Sequence, residues 1–126
     1  MNLVDSSGWL EYFSDGPQAS AFEKPLKDVE SLIVPTICLY EVFKVVLRER
    51  GENDAIQAIA IMRQGSVVDL NHELALLAAR ISLDFKLPMA DSVVLATAQL
   101  NGATIWTQDN DFENIKGVKY FAKIKK

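Results

Sequence analysis

Four acidic residues occupy positions from which carboxylates could bind a metal ion. Asp5 directly follows a short apolar segment that predicts a strand, and Asp109 lies two residues after the end of another. Asp91 falls in the first turn of a predicted helix and Glu41 in the second turn of another. Ligands of open α/β sheets bind beyond the carboxyl ends of the strands, so all four are expected at one edge. Carboxylates without histidine or cysteine suit Mg²⁺, or Mn²⁺ in its place, and suit zinc poorly.

Glu41 is the most informative of these acids because it interrupts an apolar helix face. Its neighbours one turn away in either direction are Ile37 and Val45. A carboxylate in such surroundings needs a partner. The structural alternative to a functional role is an ion pair with Lys44, three residues further along.

The other three acids each have an ordinary structural explanation when considered singly. Asp91 could simply favour the positive end of its helix. Asp5 could cap the turn that follows it, and Asp109 could form an Asx-turn in the segment Thr-Gln-Asp-Asn-Asp. Their coincidence at one predicted edge is what favours a metal site, in which Asp5 and Asp91 are the strongest candidates for direct ligands.

Several polar residues beside these acids are candidates for supporting roles. Ser6, Ser7 and Thr107 could orient the carboxylates or hold water, or could serve as caps and turn residues, which we favour for Ser7. Asp111 is a possible fifth acid that could equally start a short turn. His72, the only histidine, is expected on the surface at the start of a helix.

The elements that would position these residues alternate along the chain. Long segments with helical periodicity separate most of the short β-rich runs, which predicts an α/β fold with a parallel sheet of four to five strands and helices on both faces. The predicted strands are Leu3-Val4, Leu32-Ile33-Val34, Val67-Val68, Thr104-Ile105-Trp106 and Val118-Lys119-Tyr120-Phe121.

Capping residues and glycines predict where the helices begin and end. Ser7 is predicted to cap a short helix through Phe13, and a second piece is predicted over 19–27. The longer helices are predicted from a Thr36 cap to Gly51, from Asn53 or Asp54 to Gly65, from an Asn71 cap onward, and from Pro88 to Gly102.

Length and composition limit the class of protein. The 126 residues, 49% of them hydrophobic, suffice for a single domain over 1–126 with its own core. No apolar run approaches the roughly 20 residues of a membrane span, and the first residues look like a strand rather than a leader. The single cysteine, Cys38, is expected to be buried, and a reducing cytoplasm is the expected location.

The net charge of −4 is an objection to a nucleic-acid-binding function, because a phosphate backbone attracts basic surfaces. The objection weakens because removal of the four candidate acids would leave as many acidic as basic residues. Lysines follow the last acid at the C-terminal end and could form a basic patch, although a solvated tail is the favoured interpretation. They are Lys116, Lys119, Lys123, Lys125 and Lys126.

Four segments in order along the chain resemble the PIN-domain ribonucleases, specifically the VapC-type toxins of prokaryotic toxin–antitoxin modules. The segments are LVDSSGWL at 3–10, PTICLYEV at 35–42, LPMADSVVLATA at 87–98 and GATIWTQDNDF at 102–112. The resemblance maps the acidic residues of that family onto Asp5, Glu41, Asp91 and Asp109, with Thr107 as the hydroxyl before the last acid.

The resemblance implies a PIN-like three-layer α/β/α sandwich, Mg²⁺-dependent endoribonuclease activity on RNA, homodimerisation and inhibition by a cognate antitoxin. Two alternatives remain open. One is a module of the same fold that binds RNA or protein without catalysis. The other is a phosphoryl-accepting α/β domain in which Asp69, after the third strand, would be the acceptor.

Overall fold

The structure of the protein, a computed structural model, describes residues 1–124. Five strands, six α-helices and two short 3₁₀ turns alternate along it. The strands are β1 (Asn2–Val4), β2 (Leu32–Pro35), β3 (Ser66–Val68), β4 (Thr104–Thr107) and β5 (Val118–Tyr120). The helices are α1 (Ser6–Phe13), α2 (Ala19–Lys27), α3 (Thr36–Arg50), α4 (Glu52–Met62), α5 (His72–Phe85) and α6 (Met89–Asn101).

The five strands form one parallel sheet in the order β3-β2-β1-β4-β5, within a three-layer α/β/α fold. This confirms the predicted fold class. The register pairs Val4 of β1 with Trp106 of β4, so the residues that follow these two strands emerge side by side. Asp5 and Thr107 are therefore neighbours at the carboxyl edge although they are 102 residues apart along the chain.

The apolar strand segments form the centre of the core. Leu3, Ile33 and Ile105, in three adjacent strands, are at most 2% exposed. Cys38 is fully buried on α3, as expected, and burial raises the pKa of its thiol far above the usual range. The core thus fixes the ends of β1 and β4, which Asp5 and Asp109 follow.

Helix α1 packs unusually close to the sheet. A Cβ atom at Gly8 would lie 2.6 Å from Cγ1 of Val4 and 2.8 Å from the ring of Phe22. Only glycine allows this approach, which brings the first turn of α1 against the ends of β1 and β4. Ser6 and Ser7 are in that turn.

Several predicted helix starts need correction. The predicted Ser7 cap is wrong, because Asp5 caps α1 by accepting a hydrogen bond from the backbone N–H of Gly8. Thr36 is the first residue of α3 rather than its cap, and its hydroxyl accepts from the N–H of Leu70 at 3.3 Å. The Asn71 cap of α5 is confirmed by a 2.9 Å hydrogen bond from the N–H of Leu74.

The other boundaries follow the predictions more closely. Helix α2 spans the predicted residues 19–27, and α6 ends at Asn101, where Gly102 is the C-cap with φ of 60°. Helix α4 begins one residue before Asn53, at Glu52, and ends at Met62, ahead of Gly65. Among residues 1–124, no helix combines the length and the apolar character that crossing a bilayer requires. Lys125 and Lys126, part of the predicted basic cluster, lie outside the described residues.

Candidate active site

A cleft of about 730 Å³ opens at the carboxyl edge of β1 and β4. Helices α1, α3 and α4 supply most of its walls, and the start of α6 and the segment after β4 close its inner end. All four candidate acids line it: Asp5, Glu41, Asp91 and Asp109. The two cations among the lining residues are Arg50 and Lys123.

Asp5 is 5% exposed, and hydrogen bonds fix both of its carboxylate oxygens. Its Oδ1 accepts from the hydroxyl of Ser7 at 2.6 Å and from the N–H of Gly8 at 3.1 Å. Its Oδ2 accepts from the hydroxyl of Thr107 at 2.6 Å. Asp5 is thus both a helix cap and a rigidly oriented carboxylate, so the structural and functional interpretations of this residue coexist.

Asp91, Asp109 and Asp111 form the tightest group of acids in the described chain. One carboxylate oxygen from each lies within 4.8 Å of those of the other two. The 3₁₀ turn Asn110–Phe112 places Asp111 back beside Asp109, whose side chain accepts from the N–H of Asp111 at 2.9 Å. Asp111, ranked below the four acids from the sequence, is therefore a full member of the cluster.

Glu41 is held by α1. Its Oε1 accepts a 2.7 Å hydrogen bond from the hydroxyl of Ser6. The ion pair with Lys44 is not formed within residues 1–124, where the ammonium group of Lys44 lies 5.7 Å from the centre of the Tyr40 ring. Glu41 therefore turns toward the cleft and not along the outside of its helix.

The site raises the pKa of two of its acids. Burial raises the pKa of Asp5 to about 6, although hydrogen bonds from Ser7 and Thr107 oppose the shift. Burial, and then hydrogen bonding and charge from Asp109 and Asp111, raise the pKa of Asp91 to about 9. Without a cation, Asp91 therefore holds a proton at neutral pH. This behaviour is expected of carboxylates placed too close together to be ionised at once.

The donor set fits a hard divalent cation. The three clustered groups are all carboxylates, and the cleft lining contains neither histidine nor cysteine. Oδ2 of Asp5 accepts one hydrogen bond from the described residues, where Oδ1 accepts two, so Oδ2 is the oxygen better able to bind a cation. A bound cation would offset the burial and the neighbouring carboxylates that together keep Asp91 protonated.

Two residues discussed from the sequence lie outside the cleft lining, and one residue of that lining was not predicted. His72 is exposed at the first position of α5, as predicted, and is not part of the cleft lining. Asp69 is exposed after β3 and is likewise outside that lining. Gln108 was missed: it is 6% exposed, lines the cleft, and accepts a 2.8 Å hydrogen bond from the side chain of Gln18. Only its position between Thr107 and Asp109 could have indicated it.

Several solved structures are similar to this one. A toxin–antitoxin complex from Klebsiella pneumoniae matches with a TM-score of 0.84 and 21% identity, covering 98% of this chain and 100% of that one. VapC20 of Mycobacterium tuberculosis, described as a sarcin–ricin loop cleaving toxin, matches with a TM-score of 0.77 and 17% identity, covering 92% of this chain and 95% of that one. DNA-bound VapBC from Salmonella typhimurium matches with a TM-score of 0.76 and 15% identity, covering 96% of this chain and 98% of that one. At these identities the likeness shows the fold.

The sequence comparisons give the family. No curated protein sequence matches the chain. The sequence profile of the PIN domain, however, matches residues 3–118, which include all six helices and each acid of the cleft. The family resemblance noted from the four sequence segments is confirmed, and the chain belongs to the PIN domain family.

Proposed function

We propose that this protein is a Mg²⁺-dependent endoribonuclease and the toxin of a type II toxin–antitoxin system. The observation that carries the proposal is the cluster of Asp91, Asp109 and Asp111, of which Asp91 and Asp109 line the cleft of this PIN domain together with Asp5. Carboxylates this close together without a basic partner in the group destabilise one another when they are ionised, and burial adds to that cost at Asp91. A site that binds a cation accounts for the arrangement.

Mg²⁺ bound at these carboxylates would supply Lewis-acid activation of water and would neutralise charge on the phosphodiester. The three clustered acids, with Oδ2 of Asp5, would hold the ion. Glu41, fixed by Ser6, faces the same cleft and could accept a proton from the attacking water. Hydroxyls of Ser7 and Thr107 keep the carboxylate of Asp5 in one orientation throughout.

RNA is the proposed substrate. Arg50 and Lys123 line the cleft together with the acids, and their positive charge could contact phosphates that flank the cleaved bond. The similar structure from Mycobacterium tuberculosis is described as a toxin that cleaves the sarcin–ricin loop. An RNA with that loop is therefore a reasonable first substrate.

A cognate antitoxin and a second copy of the chain are the proposed protein partners. The support comes from the similar structures described as a toxin–antitoxin complex and as VapBC bound to DNA. Size-exclusion chromatography with light scattering, on the protein alone and after co-expression with a candidate antitoxin, would test both partners. A protein that stays monomeric and alone would contradict this part of the proposal.

The nuclease proposal is tested by RNA cleavage with Mg²⁺ present or chelated. Wild-type protein should cleave only with the metal, and Asp5→Asn and Asp91→Asn should each lower the rate by about 100-fold or more. Asp69→Asn, an acid-to-amide change outside the cleft lining, is the matched control and should cleave like wild type.

Two outcomes would contradict the proposal. Cleavage that survives both Asp5→Asn and Asp91→Asn would place the activity elsewhere or assign it to a contaminant. Binding of RNA without any Mg²⁺-dependent cleavage would instead favour the non-catalytic module of the same fold.

A further inference from the structure

Ser7 makes a set of hydrogen bonds that its place in α1 does not require. Its hydroxyl donates to Oδ1 of Asp5 at 2.6 Å and accepts from the backbone N–H of Gln108 at 2.9 Å. The first turn of α1 is already capped by Asp5, which accepts from the N–H of Gly8. The hydroxyl of Ser7 is therefore not needed to satisfy the start of its own helix.

The direction of these hydrogen bonds follows from counting protons. A serine hydroxyl has one proton and two lone pairs. Because the N–H of Gln108 can only donate, it occupies a lone pair of Ser7 and leaves the hydroxyl proton for Asp5. Thr107 repeats the pattern: it accepts from the N–H of Asp109 at 2.8 Å and donates to Oδ2 of Asp5 at 2.6 Å.

The two hydroxyls therefore connect Asp5 to consecutive backbone N–H groups of the segment that follows β4. That segment carries Asp109, one of the clustered acids. Gln108 itself is fixed further, because its side chain accepts a 2.8 Å hydrogen bond from Gln18. Removing the Ser7 hydroxyl would leave the N–H of Gln108 without its described partner and Asp5 with one donor fewer.

We propose that Ser7 is a positioning residue of the site, whose hydroxyl fastens the segment 107–109 to Asp5 and so holds Asp109 within reach of Asp91 and Asp111. This inference rests on the proposed function only for its kinetic consequence. Its structural part stands on the hydrogen bonds alone. Ser6 acts in parallel on the opposite side, where it holds Glu41.

Amide hydrogen exchange measured by NMR on the metal-free protein tests the structural part. Ser7→Ala should speed exchange at the N–H of Gln108 about fivefold, the effect expected from the loss of one hydrogen bond. Ser7→Thr keeps the hydroxyl and should restore slow exchange. Ser20→Ala, the same change at an exposed position of α2, should leave the exchange unchanged.

Kinetics test the functional part. Ser7→Ala should lower kcat for RNA about tenfold and alter KM less than about twofold, because the acids are displaced while the rest of the cleft is intact. The Mg²⁺ concentration for half-maximal rate should rise, and Ser7→Thr should recover both values. A purely structural role would destabilise the protein without moving the Mg²⁺ requirement.

The outcomes separate this inference from the nuclease proposal. Unchanged exchange at Gln108 in a folded Ser7→Ala variant would overturn the inference even if wild type cleaves RNA. Faster exchange in a protein that cleaves no RNA would support the positioning role and contradict the nuclease proposal. If Ser7→Ala does not fold, Ser7→Cys replaces it, since a thiol bonds weakly, and it should also speed exchange at Gln108.

Discussion

Replacing Asp91 by asparagine is expected to stabilise the metal-free protein, by an amount that grows with pH. In the wild type, burial and the neighbouring acids Asp109 and Asp111 raise the pKa of Asp91 to about 9. The side chain must therefore keep a proton that an unfolded chain would release. Asparagine has nearly the same shape, is neutral at every pH, and can donate hydrogen bonds from its amide.

The direction and size of this pH-dependent stabilisation follow from the linkage between proton binding and folding. An aspartate in an unfolded chain has a pKa of about 3.9, so below about pH 4 both states are protonated and no penalty exists. Between about pH 4 and 9 the folded state binds more protons, and the free energy of unfolding falls as pH rises. The free energy of unfolding falls by at most about 1.4 kcal/mol per pH unit, or about 4 kcal/mol between pH 5 and 8. Because Asp91 is only partly buried, solvent screening reduces this to about 2 kcal/mol.

Urea unfolding in the presence of a chelator, followed by tryptophan fluorescence, measures the effect. The buried Trp9 and Trp106 make the signal sensitive to unfolding. The stability difference between Asp91→Asn and wild type should increase by about 2 kcal/mol from pH 5 to pH 8. The exposed substitution Asp69→Asn is the control and should follow wild type across this range.

Added Mg²⁺ should narrow the stability difference between Asp91→Asn and wild type. At pH 8, a concentration about tenfold above the dissociation constant should stabilise wild type by about 1.4 kcal/mol through mass action, and Asp91→Asn by much less. A difference between the two proteins that stays constant with pH would refute the reasoning, because it would mean that Asp91 is ionised in the folded state. The acids would then not be crowded enough to form a preorganised cation site.

Two further changes test the packing of α1 and the cluster of acids. Gly8→Ala should lower the free energy of unfolding by about 1–3 kcal/mol in urea titrations, because the added methyl group would collide with Val4 and Phe22. An unchanged free energy of unfolding would contradict the close approach of α1 to the sheet. Asp111→Asn should weaken Mg²⁺ binding roughly tenfold in isothermal titration calorimetry, about as much as Asp109→Asn, because both acids belong to the cluster. Unchanged Mg²⁺ affinity would show that Asp111 is not part of the site.

The strands were accessible from the sequence because they are short apolar segments that the fold buries. All five predicted strands agree with the structure to within about one residue, as Leu32 to Val34 within β2 illustrates. The long helices were also predicted, since glycine and asparagine mark their ends with specific backbone requirements. Gly102 adopts a left-handed conformation and Asn71 caps α5 with its side chain.

The details that sequence could not give depend on contacts across the chain. Asp5 and Ser7 both belong to residue types that cap helices well. Only the approach of β4 decides that Ser7 accepts a hydrogen bond from the N–H of Gln108 while Asp5 caps α1. The place of Asp111 in the cluster depends on the direction of one 3₁₀ turn, which periodicity does not reveal. Glu41 was correctly predicted to lie off the polar face of its helix. Its hydrogen-bond partner Ser6 could not be predicted, because it is 35 residues away along the chain.

The pairing of β1 with β4 also determines when the site can form during synthesis. Asp5 leaves the ribosome before its partner Thr107, which is 102 residues further along, and Asp109 and Asp111 follow later. Domains fold as their chain emerges at about 5–20 residues per second, so several seconds pass before the last acids can join the first. A nascent chain therefore has no complete acid cluster until the residues that follow β4 have been made. Chains truncated before β4 should accordingly bind Mg²⁺ poorly, because Asp109 and Asp111 are missing from them.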